Sequence, residues 1–273
     1  MADLAQYAHQ RNLSFGLYTA RGGITCGGYQ ASCGQEEADA HQYASWGVDY
    51  VKDDDCSPCS GDYDADYTRM GTAIADTERP MALMVEGIPD ARVLSSGCTG
   101  VTMKRVGHDV APTWRSVSSN FDLTSGLFHL AHPDPSGDGR CAFWNDLSLL
   151  QIHAPAPPGQ SDFHCDDNAA SLAMCRAHVG MYAVLKSPLI ISAWLPSMGE
   201  VAREILTNPM LLQISQDPAG AQARRVKSVT PSNVTISGPR DAFAVLAKCD
   251  ATKSTQRWCL FHTTLMRRNQ LSH

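Results

Sequence analysis

No window of the chain approaches about 18 consecutive apolar residues, so no segment reads as a membrane-spanning helix. The N-terminus shows no secretory leader. No long basic run occurs. Lys and Arg number 22 against 28 Asp and Glu, and the resulting net charge of −6 argues against nucleic acid as the main partner. The short basic patch Arg224-Arg225-Val226-Lys227 is assigned to the surface. Internal repeats and low-complexity tracts are also missing. These absences leave a folded domain that works on something other than membranes or nucleic acids.

The chain has 273 residues, enough to bury a full-sized core. Its ten cysteines suit an oxidising compartment, although an even count in a chain of this length is a weak signal. Asn12-Leu13-Ser14 and Asn233-Val234-Thr235 match the glycosylation acceptor pattern, a triplet common by chance.

Read in order, Met1 to Leu13 is an amphipathic helix and Ser14 to Thr19 a strand. Gln35 to Trp46 is a helix that Gly47 stops. Ser57 to Asp66 is a polar loop, and Tyr67 to Asp76 is helical. Pro80 to Val85 is a strand delivering Glu86 to its end. Ser95 to Pro112 is irregular, and Trp114 to Val117 is predicted to end another strand. Pro133 to Gly139 and His153 to Gly159 are loops, with Phe143 to Asp146 as a strand end between them. Asn168 to Leu185 is a helix, Pro188 to Ala193 a buried strand, and Val201 to Ile214 holds one more helix. Strands alternating with helices predict a parallel β/α architecture. From about Lys227 the pattern changes to short strands with no helix between them, at Val234–Ile236, Ala242–Ala247 and Trp258–Phe261.

The most informative stretch is Val48 to Cys56. It opens as a β-branched and aromatic run and ends in Lys52-Asp53-Asp54-Asp55-Cys56. A buried strand that ends in charge places that charge at the edge of a sheet, where β/α barrels keep their catalytic groups. The competing reading is a solvated acidic turn. Met81, Met84, Met174 and Met181 are assigned to the core, and His178 on its helix is taken as a packed or solvated residue rather than a ligand.

The blocks Phe15–Tyr18, Thr25–Tyr29, Trp46–Cys56, Trp114-Arg115, Trp144–Asp146, Ser187–Ser192 and Asn208–Gly220 together resemble the α-galactosidases of glycoside hydrolase family 27, in the family's order. The resemblance implies an α/β fold, a (β/α)8 barrel of the TIM type. It sets residues 1–226 as the barrel domain and 227–273 as part of a C-terminal antiparallel β domain. The first helix and strand here would be the family's second helix and third strand. The first two strands, which carry an aromatic wall and an acidic pair, are therefore expected to be missing through an N-terminal truncation that also removed any signal peptide. A secreted, lysosomal or vacuolar enzyme is implied, acting on an α-galactoside, with no metal or organic cofactor. The oligomeric state is left unassigned.

For the site, the resemblance makes Asp54 the nucleophile of a retaining mechanism. It assigns substrate contacts to Tyr18, Cys26, Lys52, Glu86, Trp114 and Arg115. Glu86 matches the residue that reads the sugar's 2-hydroxyl and favours a plain galactoside. Cys26 and Cys56 match a family disulfide, with Cys33 and Cys59 as a plausible second. A zinc site built from the same four cysteines is the alternative. Asp53 and Asp55 depart from the family pattern, and three adjacent carboxylates repel one another, which could raise the nucleophile's pKa. The family's acid/base aspartate is expected five residues after the tryptophan. From Trp114 that position is Ser119, so either the role has moved to Asp122 or the acid is gone. Ser148 replaces a second family aspartate. The alternative functions are a non-catalytic carbohydrate-binding relative and a glycosidase for another α-linked sugar.

Overall fold

The structure, a computed structural model, describes residues 1–86, 100–124, 143–156, 160–217, 220, 222–229, 243–249 and 258–262. The predicted Pro133–Gly139 loop and Val234–Ile236 strand lie outside these residues. The described chain forms two compact units, residues 1–105 with 143–144, and residues 106–124 with 145 onward.

The first unit alternates helix and strand: α1 (Ala2–His9), β1 (Gly16–Ala20), α2 (Glu36–Trp46), β2 (Tyr50–Asp54), α3 (Tyr63–Asp76), β3 (Ala82–Val85) and β4 (Val101–Arg105). The four strands lie side by side in chain order and are parallel throughout. Parallel neighbours require a crossover between them, and α2 and α3 serve as two of these. One sheet face carries Val51, Leu83, Val85 and Val101, buried with Ala40 of α2 and Tyr67, Met70 and Ile74 of α3. Alternation along the strand then leaves Lys52 and Asp54 on the opposite face.

Helix α2 ends where expected, with Gly47 in the left-handed conformation at φ 80°. Helix α3 starts four residues before its predicted position. The Asp62 carboxylate caps it by accepting the Asp64 and Ala65 N–H groups. Arg79 ties the sheet's lower edge, donating to the Val48 and Gly47 carbonyls and to Asp49. Strand β4 falls inside the segment predicted to be irregular. Its last two residues are Lys104 and Arg105, only 3% and 9% exposed, and buried charge hides a strand from any apolar pattern.

In the second unit the Trp114–Val117 segment is not a strand end. It is the first turn of α4 (Trp114–Thr124). The reason is local: Asp162 accepts the Trp114 N–H at 2.8 Å, Thr113 Oγ1 accepts the Ser116 N–H at 3.3 Å, and Val117 and Phe121 share one buried face at helical spacing. Strand β5 (Trp144–Asp146) begins in the first unit and ends in the second. Helix α5 (Ala169–Leu185) is capped by Asn168 and buried along most of its length, with Val179, Tyr182 and Leu185 in the core. After it, Lys186 points its ammonium at the Ile214, Ser215 and Asp217 carbonyls, where a cation meets the negative end of a helix.

The predicted strand at 188–193 reduces to one parallel bridge between Leu150 and Ile191. The single helix predicted near 201–214 is two, α6 (Glu200–Leu206) and α7 (Pro209–Ser215). Asn208 caps the second, and Pro209 cannot extend the first. Last come β6 (Arg224–Val229), β7 (Phe243–Cys249) and β8 (Trp258–His262), an antiparallel sheet in that order. The Arg224–Lys227 run belongs to β6.

Candidate active site

Three consecutive strand ends of the first unit, those of β2, β3 and β4, bring charge together. Asp54 closes β2. Its Oδ2 accepts a hydrogen bond from the Tyr18 hydroxyl at 2.5 Å and lies 3.7 Å from the Lys52 ammonium. Its Oδ1 accepts the Asp55 N–H at 3.0 Å. The register explains the set, because Tyr18 pairs with Lys52 and Ala20 with Asp54 in parallel strands. Lys52 also reaches Glu86 Oε2 at 3.3 Å. The other Glu86 oxygen pairs with the guanidinium of Arg105, the last residue of β4. Signs therefore alternate along the strand ends, from Asp54 through Lys52 and Glu86 to Arg105. Tyr18 is 46% exposed, so solvent reaches this row.

A disulfide joins Cys26, on the loop after β1, to Cys56 just past β2, with Cα atoms 4.9 Å apart. A second joins Cys33 to Cys59. The Cys26 sulfur lies 3.9 Å from Asp54 Oδ2 and the Cys56 sulfur 3.2 Å from the Tyr18 oxygen. Bonded sulfurs carry no proton, so the one O–H of Tyr18 is directed at Asp54. Paired in this way, the four sulfurs offer none of the thiolates a zinc site needs. Backbone bonds brace the glycine loop, with the Thr25 N–H donating to the Tyr29 carbonyl and Ser57 Oγ donating to the Ile24 carbonyl.

The three adjacent carboxylates have three separate environments. Asp53 points to the helix side of the sheet and is 1% exposed. Burial, reinforced by the Glu36 charge, pushes its carboxyl up to about 8, with Arg21 acting in the opposite direction. Asp55 pairs with Arg21, which also grips Asp66 and stacks on the Tyr63 ring. Only Asp54 faces the row of strand-end groups.

The other expected residues sit elsewhere in the chain's order. Trp114 is half-buried at the start of α4, packed on the second unit's core, and Arg115 beside it is exposed. Asp122, the expected alternative acid, is on a helix and not at a strand end. It lies on the exposed side of α4, where Phe121 and Asn120 take the buried positions. Ser148 is nearly buried with φ 77°, and its N–H donates to Asp146 Oδ1 at 2.8 Å. Sequence reasoning missed Arg105 and Arg21. The signal for Arg105 was the spacing Arg105…Asp109, an arginine followed four residues later by a carboxylate.

A carboxylate fixed at a strand end, flanked by a lysine and a second carboxylate–arginine pair, is a polar cluster at one edge of a parallel sheet, the place where β/α proteins gather their functional groups. The family model described as Alpha galactosidase A matches residues 1–217. The chain belongs to this family, glycoside hydrolase family 27. It is similar to the alpha-N-acetylgalactosaminidase of Mus musculus, 30% identical over 237 residues, covering 83% of this chain and 52% of that protein. It is also similar to the alpha-galactosidase of Oryza sativa subsp. japonica, 29% identical over 227 residues, covering 82% and 49%. The chain thus spans about half the length of the curated relatives it matches. The solved alpha-galactosidase of Saccharomyces cerevisiae shares the fold, with a TM-score of 0.72 at 23% identity over 90% of this chain and 55% of that one.

Proposed function

We propose that the chain is the catalytic part of a retaining glycoside hydrolase that removes terminal α-linked galactose, with Asp54 as nucleophile. The observation that carries this reading is the setting of Asp54, whose Oδ2 is oriented by the Tyr18 hydroxyl at 2.5 Å beside the Lys52 ammonium. Its attack on the anomeric carbon forms a glycosyl-enzyme, which water then hydrolyses. Glu86 Oε2 is buried, and its partner among the described residues is the Lys52 ammonium at 3.3 Å, an ion pair that leaves lone-pair capacity for a sugar hydroxyl. Relatives named for galactose and for N-acetylgalactosamine are both similar to this chain. Glu86 at the sugar's 2-position supports the plain galactoside.

Asp109 takes the acid/base role in this reading. The resemblance counts five residues from a tryptophan, and Lys104 precedes the arginine that ends β4 as Trp114 precedes Arg115. Since β4 ends at Lys104-Arg105, the interval leads to Asp109 rather than to Ser119 or Asp122. Asp109 is exposed, as a group that exchanges protons with a leaving oxygen and then with water must be. Residues 1–226 are read as the barrel domain and 227–273 as part of a β domain. The disulfides Cys26–Cys56, Cys33–Cys59 and Cys165–Cys175 support an oxidising destination, secreted, lysosomal or vacuolar.

The test is turnover of a chromogenic aryl α-galactoside, together with a mechanism-based galactosyl label. The expected result is release of the aryl group and a label on the peptide containing Asp54. No turnover and no labelled peptide would overturn the reading.

A further inference from the structure

The loop carrying Asp109 is held by one buried amide. Asn120 of α4 is 3% exposed, and it directs both ends of its side chain at a single residue of that loop. Its Oδ1 accepts the His108 N–H at 3.0 Å, and its Nδ2 donates to the His108 carbonyl at 2.6 Å. The same Nδ2 reaches the Leu147 carbonyl at 3.4 Å. The amide lies so close to the loop that a Cβ on Gly107 would come within 2.7 Å of it. On the other side of Asp109, Val110 is buried in the core and the Ala111 N–H donates to Ser116 Oγ at 2.9 Å. Asp109 is therefore exposed between two anchored neighbours, and both anchors come from α4.

An apolar side chain would satisfy the packing at position 120, next to Val117 and Phe121 on the same helix face. A buried amide is unfavourable unless its donors and acceptor are bonded, and here the bonds go to the loop. We infer that Asn120 is a positioning residue for the acid/base carboxylate, fixing the backbone from which Asp109 projects; this rests on Asp109 being the acid. Proton transfer to a leaving oxygen tolerates little misplacement, of the order of 1 Å for about a hundredfold in rate. The role needs no contact between Asn120 and the sugar.

The experiment compares Asn120→Ala, Gly107→Ala and Asp109→Ala with the wild type on two α-galactosides, one with an activated aryl leaving group and one with a sugar. Each kcat/KM is normalised to the fraction that takes the galactosyl label. Asn120→Ala should lose about 10–100-fold on the sugar substrate and less than about threefold on the aryl one. Gly107→Ala, which presses on the same amide while keeping it, should show the same split and decides the matter should Asn120→Ala fail to fold. Hydrogen exchange gives a readout without turnover: the His108 amide should exchange slowly in the wild type and fast in Asn120→Ala, with α5 amides unchanged. Equal losses on both substrates, or a fast His108 amide in the wild type, would overturn the inference. An Asp109→Ala variant without the split, or a wild type that turns over neither substrate, overturns the functional reading and the inference with it. A split in Asp109→Ala with none in the other two overturns the inference alone.

Discussion

The Tyr18 hydroxyl donates to Asp54 Oδ2 across 2.5 Å, from the middle of one parallel strand to the end of the next. This bond sets the direction of the carboxylate, and the first expectation follows from it. Asp54→Asn should abolish turnover and galactosyl labelling while leaving the melting temperature within a few degrees, because an amide has the carboxylate's shape but not its nucleophilicity. Tyr18→Phe removes the orienting bond alone and should reduce kcat by about 10–100-fold. Full activity in Asp54→Asn would remove the nucleophile assignment.

Asp122→Ala should change neither leaving-group class by more than about twofold, since its carboxylate lies on the exposed side of α4. Asp109→Ala should lose about 10²–10⁴-fold on the sugar substrate. Azide should restore turnover of the aryl substrate by replacing water in the second step. The reverse ranking of the two variants would return the acid to Asp122.

Asp53 makes stability depend on pH. Its folded-state carboxyl titrates at about 8, above the ordinary carboxylate value near 4. Between those values the folded chain holds a proton that the unfolded chain has released, so stability falls as pH rises from about 4 to 8 and the slope then vanishes. Asp53→Asn carries no such proton. It should be more stable than wild type at pH 8.5, by an order of 3–5 kcal/mol, and nearly equal to it at pH 4. Urea titrations of both proteins at the two pH values check this, and identical differences at both would refute it.

Reducing the Cys26–Cys56 bridge should loosen the loop beside Asp54. The bridge closes a sequence separation of 30 residues, for which about 2–4 kcal/mol of stabilisation is typical. A Cys26→Ser/Cys56→Ser double variant should melt lower and lose activity at temperatures where it remains folded. Non-reducing peptide mapping should recover Cys26 linked to Cys56 and Cys33 linked to Cys59. Free thiols at all four positions would remove the bridge from the site.

The sequence by itself determined the strand from Tyr50 to Asp54 and the helices on either side of it. Their apolar spacing, the Gly47 stop and the charged end are local properties, and these are visible without partners. It also supplied the family blocks that single out Asp54 and Lys52. Only the tertiary structure decided which strand follows β3. Val101–Arg105 carries its charges inward, where Arg105 meets Glu86, and a buried ion pair cannot be seen in a pattern that equates burial with apolar residues. Once β4 occupies that place, Trp114-Arg115 becomes the start of a helix, and the interval counted from Lys104 is what supports the proposal of Asp109 as the acid. The three aspartates were equally beyond local reading. They are consecutive in the chain, but Asp53 is buried on the helix side of the sheet, Asp54 lies on the opposite face beside Tyr18 and Lys52, and Asp55 pairs with Arg21, because strand alternation and a single arginine from the end of the preceding strand separate them.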